Sequence, residues 1–353
     1  MAQSASAPRL ERDEDGRRAL RASLSAHEGA QPGKSVVQIF TSIGLFLAAC
    51  AAMYVTAGIS VPLTLALAIP TGALLVRVFI VQHDCGHGAF FRSRRANSIL
   101  GNVCGLLTLT PYANWRRQHA QHHANWNNLD RRQSGLDIYS VCLTVAEYRA
   151  LPAWQRVLYR VGRHPVVMHL ILPPMIFMLL FRVPFDTPSR WRLERLSVYL
   201  TNIALLCLFG GLAAIFGIGT VALIHLPVVA VAAIIGVWLF TLQHRFDGAL
   251  WARDDQWSHE SASLQGSSHL QLPRVLQWFT GNIGLHHIHH LAPRIPNYRL
   301  QDCHDAVPEL RRQKPLDLWA GLRAMRLSLW DEGRSRMISF RDLPDRRTAA
   351  AAG

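Results

Sequence analysis

At 353 residues, half of them hydrophobic, the chain could bury a large core, but its apolar residues fall in runs too long for a soluble fold. The formal net charge of +14 raises nucleic acid as a partner. The basic residues are almost all arginines beside the apolar runs, as juxtamembrane charge is, and no nucleic-acid-binding motif accompanies them, so that partner is excluded. Six scattered cysteines without paired spacing exclude a disulfide framework.

Residues 1–34 are polar, mix acids and bases and lack a signal-type apolar core; they are expected to be a disordered cytoplasmic tail with room for one short surface helix. The main membrane domain follows over 35–315. Runs at 35–58 and 61–81 each approach the ~20 residues that cross about 30 Å of hydrocarbon, and the short uncharged turn Gly58-Ile59-Ser60 pairs them as a hairpin. A second pair, 196–216 and 220–242, turns at Gly217-Ile218-Gly219. Two further stretches, 98–111 and 165–181, are short or carry Pro173-Pro174 at the centre, where a straight helix would kink. Both are read as re-entrant or interfacial, because a crossing by 165–181 would put Arg182 to Arg195 outside. The expected fold is an all-α integral membrane protein with about four transmembrane helices in two hairpins. A cytoplasmic helical cap, residues 83–195 and 243–315, covers them. Residues 316–345 alternate apolar and Arg residues with helical period and are expected as an amphipathic helical segment; 346–353 read as a disordered tail.

Three histidine clusters stand out: His83 and His87 in HDCGH, His119, His122 and His123 in HAQHH, and His286, His289 and His290 in HHIHH. Spacings of three and four put each cluster on one helix face, with i and i+4 members about 6 Å apart along the axis. Neutral imidazole is the commonest transition-metal ligand, and eight are too many for one ion, so two close metals are expected. Imidazole alone suits iron, zinc, copper or nickel. His244 ends the last apolar run level with the first cluster and is taken as a ninth ligand. Cys85 reads as a packing residue, His287 lies off the pattern of its cluster, and His164, His169, His225, His259, His269 and His304 read as structural. Asp84, Asp130 and Asp137 are placed either to orient imidazoles or to pair with Arg116, Arg117 or Arg131.

With its boxes HDCGHGAFF, HAQHHANWN and HHIHHLAPRIPNY, the chain resembles the membrane fatty-acid desaturases of the acyl-lipid Δ12 or ω-6 type, over about residues 40 to 310. The resemblance implies two non-haem Fe ions held by the nine histidines, O2 as co-substrate, membrane-lipid acyl chains as substrate and a ferredoxin- or cytochrome-type external electron donor. The boxes would face the cytoplasm, in a bacterial cytoplasmic membrane. Relatives acting on acyl-CoA carry an Asn four residues before the histidine that matches His244, where this chain has Phe240. That difference favours lipid-linked substrates and leaves one iron a ligand short, for which water or Asn282 is the candidate. Rival readings are an alkane or carotenoid hydroxylase with the same centre, a metalloprotease using His83-Asp84-Cys85-Gly86-His87, and a histidine-rich metal transporter.

Overall fold

The computed structural model describes residues 14–132, 139 and 141–343. Asp137 and the 346–353 tail therefore lie outside the described residues. The first helix, α1 (Glu14–Ser25), buries Leu20 and Leu24 against Leu285, Ile288, Ile295 and Leu300. From Glu14 onward the N-terminal segment is thus ordered and packed, not the free tail its polar composition suggested. Only two apolar residues of α1 are buried, a signal too sparse to stand out in sequence.

Among the described residues, four helical spans are long and apolar enough to cross a membrane. The first, Pro32–Ala57, joins α2 (Pro32–Ile39) and α3 (Leu45–Ala57) through a π turn. The second is α4 (Val61–Gly86), which starts with the Ser60 side chain accepting from the Leu63 amide. Next come α5 (Arg94–Leu107) and α6 (Tyr112–Asn125), then β1 (Leu143–Thr144), α7 (Val145–Ala150), α8 (Ala153–Gly162) and α9 (Leu172–Met178). The remaining spans are α10 (Arg192–Phe216) and α11 (Ile218–His244), joined at Gly217 in the left-handed region at φ +82°. The chain continues through α12 (His259–Gly266), α13 (Arg274–Phe279), α14 (His286–Leu291), α15 (Asn297–Ala306) and α16 (Leu318–Ala324), and ends with β2 (Leu329–Asp331) and β3 (Arg336–Ile338).

The centre of the bundle is the contact of α4 with α11. Gly72 permits it, since a Cβ there would lie 2.6 Å from Val231 Cγ1. Each span reaches further toward the cap than the apolar run predicts: α4 continues five residues past 81 and α11 two past 242. Polar residues continue a helix once its hydrogen-bond ladder is running, and these overruns carry His83 and His244.

The remaining corrections lie in the cap. The period over 316–330 is realised as helix only for Leu318–Ala324; Leu329–Asp331 then pairs antiparallel with Arg336–Ile338 and parallel with Leu143–Thr144. A buried Leu329-Trp330 pair is compatible with either period, and the turn after Asp331 decides for strand. The small sheet is thus an exception to the expected all-α fold. At 14 residues, α5 is about 21 Å long, too short to cross. Residues 153–182 bend by 57° between Gly162 and Val167. The second histidine box precedes this segment, the third follows it, and both end at the same place, with α10 and α11 making two crossings between them. The segment must therefore return to the end of the bundle it left.

Candidate metal centre

Each box sits where a helix end delivers it. His83 lies in the last turn of α4 and His87 caps it, with Gly88 at φ +67° turning the chain away. His119, His122 and His123 occupy the final turns of α6, His244 is the last residue of α11, and His286, His289 and His290 fill the short helix α14. The nine imidazoles sort into two groups, each with its donor atoms within 4.8 Å of one another: His83, His87, His119, His123 and His289 in one, and His122, His244, His286 and His290 in the other. The spacing explains the division. On α6 the i, i+4 pair His119 and His123 faces the first group and His122 faces the second; on α14 the i, i+4 pair His286 and His290 faces the second and His289 the first. An HxxHH helix thus serves two sites at once, which HxxxH cannot do.

The donor geometry fits metal ions. Nε2 to Nε2 separations are 2.9 Å for His87 and His119, 3.1 Å for His123 and His289, 3.0 Å for His122 and His244, and 3.1 Å for His244 and His286. Two nitrogens at about 2.1 Å from one ion and a right angle apart would be about 3.0 Å from each other. His290 is fully buried with neither ring nitrogen hydrogen-bonded, an arrangement that a bound cation would relieve. The second group is wholly buried, whereas His87, His119 and His123 of the first are partly open.

Burial first, and then the neighbouring imidazoles, hold His87, His119, His123, His286, His289 and His290 well below the ordinary imidazole range. All six are therefore neutral, metal-competent donors at pH 7. In the unfolded chain these histidines take up protons near pH 6.5, while the folded ones stay neutral to a lower pH. The metal-free protein should keep this contribution to stability above about pH 6.5 and lose it progressively as pH falls toward the depressed folded values. Thermal unfolding of chelator-treated protein between pH 8 and pH 5 checks this; a midpoint that rises on acidification contradicts it.

Asp84 is the acid placed to orient a ligand. One carboxylate oxygen lies 3.4 Å from His83 Nδ1, and the other accepts from the Asn297 amide and side chain at 2.7 and 2.8 Å. Gln38 in turn holds Asn297 at 2.9 Å, so the first span braces box one through a buried polar chain. Replacing Asp84 with Asn should lower activity by about 10–100-fold through loosened metal. Activity and metal content measured together check it, and an active variant with full metal content would remove Asp84 from this role. Asp130 takes the other course, pairing with Arg253 at 2.6 Å instead of orienting an imidazole, and its partner is none of the arginines suggested by sequence proximity. Asn282 donates its side-chain amide to the Asn297 carbonyl at 3.2 Å. The fully buried His287 meets His269 and His304, with ring centres 5.4 and 5.9 Å away. Cys85 packs in the core.

Other contacts were not foreseen from the sequence. Trp115 stacks on His119 at 4.8 Å, one helical turn before it, and Phe240 lies 5.1 Å from the His122 ring and 5.9 Å from that of His244. Phe240, four residues before His244 on α11, thus packs its ring against the four-histidine group. From the histidines an apolar cavity descends between α4, α9 and α11, past Phe79, Leu75, Phe177, Val229, Ala233 and Gly236. His83, His119, His122 and His286 form its upper wall, so both groups border it.

The sequence profile of the fatty acid desaturases, described as "Fatty acid desaturase", matches residues 59–320. A fatty acid desaturase of Bacillus subtilis is 39% identical over 314 residues, 88% of either chain. The chain belongs to the fatty acid desaturase family. Further relatives include an acyl-lipid omega-3 desaturase (cytochrome b5) of Arabidopsis thaliana, 30% identical over 73% of this chain, and an sn-1 oleoyl-lipid 12-desaturase of Synechocystis, 28% identical over 68%. Those two alignments take in 66% of each relative's own length. The protein is accordingly an integral membrane oxidoreductase of the desaturase class, which sets aside the protease and transporter readings.

Proposed function

We propose that this desaturase holds two iron ions in its nine clustered histidines and introduces a cis double bond into an acyl chain carried on a membrane lipid. The observation that carries the reading is the cavity, mainly apolar along α4 and α11 and bordered at its upper end by imidazoles of both groups. Along α4 its lining extends from His83 to Leu75, two helical turns or about 12 Å, a depth suited to a run of methylenes.

Bound iron would supply the oxidising power that an unactivated methylene demands, with dioxygen reduced to water by two hydrogens of the chain and two electrons and two protons from outside. The protein's own residues position and insulate. Phe79, Phe177 and Phe240 line the chain's path and keep it dry beneath the imidazoles, and Trp115 stacks on His119 and fixes the plane of its ring. Asp84 fixes His83 by its carboxylate, 3.4 Å from the ring Nδ1.

The arginines at the box end, among them Arg92, Arg94, Arg95 and Arg116, support a cytoplasmic orientation in a bacterial membrane. The same positive face suits an acidic ferredoxin- or cytochrome-type donor, and the partly open His87, His119 and His123 give it the shorter approach. Expression in a host lacking polyunsaturated lipids, followed by mass-spectrometric location of new double bonds, tests the proposal. New unsaturation in intact lipids is expected; a hydroxylated chain would instead favour the sister oxygenases.

A further inference from the structure

Inside the cap, the fold buries two guanidinium groups side by side. Arg163 follows α8 directly and Arg245 follows His244; they are 8% and 0% exposed. Both donate to the Met168 sulfur, at 3.6 and 3.3 Å. Their other partners are neutral: Arg163 reaches the Val141 carbonyl at 2.7 Å and lies over the Tyr159 ring, and Arg245 reaches the Tyr139 and Leu327 carbonyls. Among the described residues neither has a carboxylate within ion-pair distance. Burial, and secondarily the charge of Arg163, pull Arg245 down to about 9. Two like charges in a low-dielectric site call for an anion. The hydroxyl of Tyr139 and both ring nitrogens of His169 are also buried there without partners.

A cavity opens beside this cluster, between α8 and the segment leading into α9, lined by Gln155, Leu158, Tyr159, Arg163 and Met168. Tyr139 lines this cavity and the acyl cavity alike, so the two lie on either side of one ring. Helix α8 turns Trp154, Val157, Leu158 and Val161 outward, each more than half exposed, while Arg156 and Arg160 share the helix. That is the composition of a helix lying in the membrane interface, where lipid phosphates are found.

We propose that Arg163 binds the phosphate of the lipid whose acyl chain enters the desaturation cavity, with the space under α8 as its head-group site and Tyr139 marking the passage between head group and chain. The proposal rests on the lipid-linked reading above, and names its substrate class as phosphoglycerolipids.

The test uses full-length protein in detergent, probed by native mass spectrometry with phosphatidylglycerol and with monogalactosyldiacylglycerol of identical acyl chains. Phosphatidylglycerol should be retained at least about tenfold better, as a charge-assisted bidentate contact gives, and Arg163→Gln should erase that preference without changing retention of the galactolipid. Equal retention of both lipids by the wild-type protein overturns the proposal and needs no variant that folds. Displacement of the lipid by inorganic phosphate alone, at equal affinity, would make the site one for the free ion and overturn it too. The readout is independent of turnover. A phosphate preference without new double bonds would count against the desaturation proposal and leave this site standing. Double bonds formed with no lipid preference would remove this site alone.

Discussion

Replacing His122 with alanine should abolish desaturation while the protein remains folded in the membrane. His122 belongs to the smaller histidine group, so without it only His244, His286 and His290 would remain there. It also borders the acyl cavity, and its loss both weakens that site and opens a void beside the reacting carbons. A loss of at least about 10³-fold is expected, equivalent to roughly 4 kcal/mol of transition-state stabilisation. His225 is the control: it is bonded to Tyr54 at 3.0 Å, remote from both groups in sequence and placement, and its replacement should leave activity within a few-fold. Product analysis of cells expressing each variant, normalised to membrane-extracted protein, gives the comparison; wild-type levels of product from His122→Ala would remove it from the centre.

Gly236→Phe should block long acyl chains selectively. Gly236 lines the cavity on α11, and a Cβ built on it meets nothing within 4 Å, so a larger side chain projects into open space and leaves the helix packing intact. The new ring would occupy the path that Ala233 and Val237 now border. Turnover of chains long enough to pass that level should fall by about 100-fold, as displacement of the reacting carbons by an ångström or more does, with metal content unchanged. The variant's metal content and its products from chains of different length separate this from misfolding. Full activity on long chains would show that the substrate does not run along α11.

Much of the centre was legible because histidine spacing is a local property. The three boxes and His244 are the residues that the fold brings together, and the span pairing followed from uninterrupted apolar runs with uncharged turns. What could not be read was the division of the imidazoles into groups of five and four, since it depends on how α6 and α14 face each other across the end of the bundle. Asn297, which locks Asp84, is 213 residues distant along the chain and carries no motif. Neighbouring charge misled in the case of Asp130, whose partner Arg253 is 123 residues away rather than adjacent. The packing of the N-terminal helix and the strands near the C-terminus were missed for a related reason: each gains its order from distant segments, α1 against the third box and β2 against β1.

Elemental analysis of the purified desaturase, paired with Mössbauer spectroscopy after growth on enriched iron, tests the central claim most directly. Two irons per chain in two distinct nitrogen-rich environments, one with five and one with four imidazoles, are expected. Protein that turns over acyl chains with a single iron, or with none, would contradict the account.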